Sequence, residues 1–225
     1  MNRLICRVVL VALCCTGSAI AARDKPAERD KHAQPASETF DTARMVKVLA
    51  DPALRAQAIK AGEKAAFFCE NCHSEDGIGD MDYIPNLAQQ NPVYMLVQLQ
   101  KYADGRRIDE FKTKLTKKVK PEDMFNIVIF YSTLPLPPTP VRDIRQAQAG
   151  QRNFLRECTR CHGAQARGTN DVPRLAGQHS TYLSRIMSKY YGAQATRSDA
   201  RMNKLSRPLT DPEIVDLAAY LPSLP

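Results

Sequence analysis

Cys69-Glu70-Asn71-Cys72-His73 and Cys158-Thr159-Arg160-Cys161-His162 are two copies of one string, Cys-x-x-Cys-His. That pattern is the attachment site of a c-type haem. Thiols three positions apart on a helical turn reach the two vinyl groups of one porphyrin. The histidine that follows is then held beneath the iron as its proximal ligand. A single Cys-x-x-Cys would equally suit a zinc half-site or a redox dithiol. Two copies, each ending in histidine and with no other Cys-x-x-Cys in the chain, favour two covalently bound haem c groups. Cys69, Cys72, Cys158 and Cys161 are read as the thioether residues, and His73 and His162 as iron ligands.

The other three cysteines, Cys6, Cys14 and Cys15, fall in the first 22 residues. That stretch has a basic start at Arg3, an apolar run from Leu4 to Cys15 and the small-residue pattern Ala19-Ile20-Ala21. It reads as a secretory signal peptide covering 1–21. Arg7 interrupts the run, which is shorter than the roughly 20 apolar residues of a membrane-spanning helix. After cleavage every remaining cysteine belongs to a haem motif, so no structural disulfide is expected even in an oxidising compartment. Export suits the cofactor, because bacterial c-type haems are attached outside the cytoplasmic membrane. The expected location is the periplasm.

Outward from the two motifs, the chain is an internal duplication. Pro85-Asn86-Leu87-Ala88-Gln89-Gln90 recurs as Pro173-Arg174-Leu175-Ala176-Gly177-Gln178, Tyr94 as Tyr182, and Lys101-Tyr102 as Lys189-Tyr190. Met124 to Pro135 recurs as Ile214 to Pro225. A long period present only twice means two similar domains, not a solenoid. Each copy is patterned as helix. Leu183, Ile186, Met187 and Tyr190 form one stripe, and Ile214, Leu217, Ala218 and Leu221 another, matched by Met124, Ile127, Val128 and Tyr131. Thr210-Asp211-Pro212-Glu213 predicts a capping-box start for the last helix. Lobes of this size have marginal apolar cores, and a covalent porphyrin supplies the missing interior.

The expected division is 1–21 signal peptide, 22–60 polar tail with an extra helical segment, 61–134 first lobe, 135–145 linker and 146–225 second lobe. Thr39 to Lys60 reads as helix interrupted near Pro52, with no partner in the second copy, packing over the first lobe. Pro135-Leu136-Pro137-Pro138-Thr139-Pro140 reads as an extended spacer between the lobes.

The second copy carries Cys161-His162-Gly163, Leu175-Ala176-Gly177-Gln178-His179, Tyr182-Leu183, Met202 and Leu209-Thr210-Asp211-Pro212-Glu213-Ile214, in that order. Over about residues 61 to 225 the chain resembles the dihaem cytochromes of the c4 type, members of the class I cytochromes c. The resemblance implies an all-α fold of two tandem class I cytochrome c domains, facing each other so that electrons cross between haems near the interface. It also implies that a proline carbonyl orients each proximal histidine, which points to Pro85 for His73 and Pro173 for His162. Such a contact fixes the ring and raises ligand basicity. His179 is expected to be an exposed side chain and not an iron ligand.

The same resemblance implies a methionine sulfur as sixth ligand, from a loop before the last helix. Met202 is the one methionine in that loop of the second lobe, while Met187 sits in the helical stripe, where methionine is common filler. Thioether ligation favours Fe(II) and raises the potential. The first lobe departs here. Aligning Val119-Lys120-Pro121 with Leu209-Thr210-Asp211 sets Lys112 opposite Met202, and no methionine lies between Met95 and Met124. Three readings stay open for that iron: a neutral amine from Lys112, a neighbouring lysine such as Lys114 or a remote methionine, or an open position beside a solvated lysine face. Lysine ligation would stabilise Fe(III) and make the first haem the lower in potential.

The formal net charge is +8. Residues 23–140 hold 17 basic and 17 acidic side chains, whereas 141–225 hold 13 against 7, and 11 of those 13 are arginine. A basic second lobe suits an acidic docking surface on a redox protein, such as a membrane oxidase or reductase complex, or peripheral attachment to an anionic membrane, with salt-sensitive association. Nucleic acid is a poor partner for an exported haem protein. The expected function is carriage of single electrons between redox partners of a respiratory chain. The alternative is a cytochrome subunit of a sulfur-compound dehydrogenase, or a haem enzyme using the first iron. An enzyme would need a vacant iron position with acid–base groups nearby, and no such constellation is legible.

Overall fold

The structure, a computed structural model, describes residues 42–191, 199–202 and 208–225. The expected signal peptide and the polar tail fall outside them. Within them are ten helices: α1 Thr42–Ala50, α2 Pro52–Ala65, α3 Phe67–His73, α4 Pro92–Ala103, α5 Glu110–Thr116, α6 Pro121–Thr133, α7 Ile144–Glu157, α8 Thr159–His162, α9 Ser180–Tyr191 and α10 Asp211–Tyr220. A 3-10 turn over Leu221–Ser223 follows α10. Among the described residues the one β-type pairing is an isolated bridge between Thr169 and Val172.

Short-range chemistry sets the helix starts. The break between α1 and α2 is an N-cap: the Asp51 carboxylate accepts from the amides of Ala53 (2.9 Å) and Leu54 (3.1 Å), with Pro52 at the first helical position. Asp143 caps α7 in the same way, at 2.9 and 3.0 Å from the Arg145 and Gln146 amides. At α10, Thr210 N–H donates to the Glu213 carboxylate at 3.0 Å, which is the reciprocal arm of the capping box.

Each lobe is built on one helix crossing, α2 against α6 and α7 against α10. The crossings are close because each carries a glycine. A Cβ on Gly62 would lie 2.1 Å from the Asn126 carbonyl oxygen, and one on Gly150 would lie 2.0 Å from that of Asp216. These equivalent crossings correct one expectation. The second half of the Thr39–Lys60 segment does have a partner in the second copy, since α2 plays the part of α7. Within that segment, α1 has no counterpart among the described residues. It packs on the first lobe through buried Met45 and Val48, while Arg44 stacks 3.9 Å above the Phe125 ring and pairs with Glu122.

The two cores are separate. Met124, Phe125, Ile127, Val128, Ile129, Phe130 and Tyr131 of α6 centre the first, and Phe154, Leu183, Ile214, Leu217 and Leu221 the second. The proline-rich segment is more than a spacer. Leu136 is buried against Gly177, and Thr139 N–H donates to the Pro222 carbonyl at 2.8 Å, so the linker lies along the second lobe.

The lobes meet through their repeated segments, and the contact is its own mirror. Gln178 Oε1 accepts from Asn86 N–H (2.8 Å), and Gln90 Oε1 accepts from Arg174 N–H (2.7 Å). Tyr94 N–H donates to Asn170 O at 3.2 Å, and Tyr182 N–H to Asp82 O at 2.8 Å. Asn91 Nδ2 donates to Arg167 O, and His179 Nε2 to Gly79 O, both at 3.1 Å. Every pair exchanges residue i of one lobe for residue i + 88 of the other, as an approximate two-fold relation between duplicated lobes requires. His179, expected to be exposed, is tucked into this contact with 18% of its side chain accessible, because its ring is the bridge to Gly79.

Candidate haem-binding site

Each Cys-x-x-Cys-His string lies on a helical turn that follows a core helix. Cys69 and Cys72 are on α3, which ends at His73; Cys158 closes α7, and α8 carries Cys161 and His162. None of the four is paired in a disulfide. One cavity of about 810 Å³ is lined by both strings and by residues of both lobes.

The two histidines are buried, at 8% and 6% exposure, and are held alike. His73 Nδ1 lies 2.8 Å from the Pro85 carbonyl oxygen, and His162 Nδ1 lies 2.9 Å from that of Pro173. A carbonyl can only accept, so Nδ1 carries the proton and Nε2 keeps the lone pair a metal needs. Burial keeps both rings neutral. It pushes His73 down to about 4, with the positive charge of Lys112 adding to the effect, and it lowers His162 as well. Burial also raises the thiols, Cys69 to about 11 and Cys158 to about 12.

Met202 and Lys112 both line the cavity. The Met202 loop is tied down by the Tyr191 hydroxyl, which donates to the Met202 carbonyl at 3.3 Å, and by Arg201, which bridges Asp199 and Asp171. Lys112 sits on α5, where Asp109 caps its amide at 2.9 Å, and its ammonium lies 5.6 Å from the centre of the Tyr102 ring. Burial pulls its pKa down, and its charge is felt by Cys69 and His73. Lys114 points elsewhere. It is 72% exposed and pairs with Glu110 at 2.8 Å. Met95 and Met124 reach the cavity wall from the helical cores of α4 and α6.

Two cavity-wall atoms escaped the sequence reading. The Tyr131 hydroxyl and Arg174 Nη2 are buried with no hydrogen-bond partner among the described residues. Buried polar groups ordinarily find partners. The cationic donor of Arg174, stranded at the edge of a largely apolar cavity, suits a carboxylate of a haem, so the residues present fit the group. Arg174 gave no signal because its counterpart in the first copy is Asn86, and Tyr131 because it lay in an apolar stripe.

This is the architecture of a class I c-type cytochrome made twice in one chain. Comparison with known proteins agrees. A cytochrome c family model matches residues 147–225. Cytochrome c-552 of Acidithiobacillus ferridurans is 31% identical over 170 residues, covering 69% of this chain and 73% of that protein. Cytochrome c4 of Pseudomonas aeruginosa is 26% identical over 176 residues, 73% of this chain and 87% of its own length. The thiosulfate dehydrogenase electron acceptor of Thiomonas intermedia is 27% identical over 178 residues, 73% and 82% respectively. The crystal structure of reduced recombinant cytochrome c4 from Pseudomonas stutzeri superposes with a TM-score of 0.65 at 24% identity, covering 73% of this chain and 97% of that one. The chain belongs to the dihaem cytochromes of the c4 type. It is an electron-carrying cytochrome with two covalent haem c groups.

Proposed function

We propose that this cytochrome is exported to the periplasm and carries single electrons between redox proteins of a respiratory chain. The observation that carries the reading is the pair of buried imidazoles, each following a Cys-x-x-Cys turn and each held through Nδ1 by a proline carbonyl. When bound, each haem supplies a one-electron Fe(III)/Fe(II) couple. The chain's own part is attachment, ligation and exclusion of water. Cys69 and Cys72, with Cys158 and Cys161, form the thioethers. His73 and His162 are the proximal ligands, and Pro85 and Pro173 orient them. Met202 is the sixth ligand in the second lobe and Lys112 in the first. Lys114 is set aside by its exposure and its Glu110 partner. The helical correspondence supports starting the first lobe at Pro52.

The export reading is supported by the leader-like first 21 residues. Among the described residues no helix is long and apolar enough to cross a membrane. The test of the site is haem stoichiometry. Denatured mature protein keeps two covalent haems, and Cys158→Ser with Cys161→Ser leaves one. Two haems retained in that double variant would overturn the assignment.

A second reading has a specific observation behind it, the likeness to a thiosulfate dehydrogenase electron acceptor. On that reading the electron donor is a sulfur-compound dehydrogenase, and this chain is its acceptor subunit. Rapid reduction by such an enzyme with its substrate, and slow reduction by a quinol-oxidising complex, would favour it.

A further inference from the structure

Two of the hydrogen bonds between the lobes end on the peptide groups that hold the candidate proximal histidines. The Pro85 carbonyl and the Asn86 N–H belong to one peptide unit. Its oxygen accepts from His73 at 2.8 Å, and its N–H donates to Gln178 Oε1, of the other lobe, at 2.8 Å. The Pro173–Arg174 unit repeats the arrangement, accepting from His162 at 2.9 Å and donating to Gln90 Oε1 at 2.7 Å. Each glutamine closes a second bond, Gln178 Nε2 to Asn86 O at 3.0 Å and Gln90 Nε2 to Arg174 O at 2.9 Å. Asn86, Gln90, Arg174 and Gln178 are all buried, between 4% and 7% exposed.

A peptide is a resonance-coupled group. Donating its N–H strengthens the negative end of its carbonyl, and chains of hydrogen bonds polarise one another, most in a low-dielectric interior. A stronger carbonyl draws harder on the Nδ1 proton and makes the ring more basic at Nε2. A more basic imidazole favours Fe(III). Accepting from Asn86 N–H therefore lets Gln178 act on His73, at the far side of the lobe boundary.

We propose that the lobes set one another's redox potentials crosswise: Gln178 of the second lobe lowers the potential of the first haem through the Pro85–Asn86 peptide and His73, and Gln90 of the first lobe lowers that of the second through Pro173–Arg174 and His162. Both glutamines are positioning residues that act through the histidines. The proposal rests on the reading of His73 and His162 as proximal ligands. A clamp that merely held the lobes together would leave each potential indifferent to which glutamine is changed.

The test uses the full holoprotein with Gln178→Leu, Gln90→Leu and Gln178→Glu. Redox titration follows each haem, and proton NMR of the reduced protein follows the Nδ1 protons of His73 and His162. Gln178→Leu moves the His73 proton upfield and raises the first haem's potential, while the second haem and His162 stay near their original values. Gln90→Leu gives the mirror result. Gln178→Glu keeps an acceptor opposite Asn86 N–H and makes it stronger, so it lowers the first haem's potential, and by more than the second's. Opposite signs from Leu and Glu at one position are beyond a purely structural role. Equal shifts at both haems, shifts confined to the substituted residue's own lobe, or no shift would overturn the proposal. If Gln178→Leu fails to fold, Gln178→Glu decides alone. Loss of both haem signatures on His73→Ala, or of neither, would instead fault the ligand assignment beneath it.

Discussion

At the scale of single residues, the asymmetry proposed for the two haem sites rests on Met202 against Lys112. The two occupy matched places in the alignment, and both face the cavity. Thioether sulfur is a soft ligand that favours Fe(II), whereas an amine favours Fe(III), so on the proposed ligation the exchange of one side chain would separate two otherwise similar centres. Met202→Ala should abolish the sulfur-to-iron absorption at the red edge of the visible spectrum and lower the second haem's potential. Lys112→Met should raise only the first haem's potential and replace its near-infrared signature by one like the second's. Lys114→Met is the control. Its ammonium is exposed and engaged with Glu110, so spectrum and potentials should stay as they were. A Lys112→Met protein with an unaltered first haem would mark Lys112 as a wall residue. The alignment alone left Lys114 open, because a register argument gives position along the chain and not direction into the fold.

At the scale of helices, the glycine at each crossing decides how closely the core helices approach. An added methyl at Gly150 would meet the Asp216 carbonyl oxygen at 2.0 Å and the Tyr220 Cβ at 2.9 Å, and backbone cannot swing aside as a flexible side chain does. Gly150→Ala should therefore destabilise the second lobe by about 1–3 kcal/mol, the usual range for overpacking. Thermal unfolding followed by circular dichroism reads this, and an unchanged midpoint would mean that α7 and α10 slide apart freely. The apolar stripes of α4, α6, α9 and α10 were legible as period 3.6 patterns, and so was the cap before α10. The equivalence of α2 with α7 was not. Their sequences share little beyond that glycine, so the match exists chiefly as a shared crossing. α1 is an addition to the first lobe, fixed by Met45, Val48 and the Arg44 contacts.

At the scale of the molecule, the charge is carried unequally. Beyond the first 22 residues, the excess of basic over acidic groups lies in residues 141–225, where arginine dominates. Long-range attraction to an acidic partner is screened over about 8 Å at physiological ionic strength. Delivery of electrons to an acidic acceptor should then slow as salt is raised, chiefly through the association rate. Stopped-flow rates over a range of ionic strength measure this, and rates that do not vary with salt would remove the docking role of the second lobe.

The sequence by itself determined the two haems, the duplication and the helical class, because the attachment motif, periodicity and repetition are all local or self-referential patterns. Only the tertiary structure decided how the lobes meet. Gln90 and Gln178 recur in the sequence at the same place in each repeat, but nothing there says that each reaches the peptide behind the other lobe's histidine. Partners such as Asn86 and Gln178 lie 92 residues apart, and that pairing arises when two folded copies are set face to face. The same holds for His179, which reads as a surface residue until its ring is placed against Gly79. Proximity across a two-fold contact is a property of the assembled backbone, and no pattern along one chain encodes it.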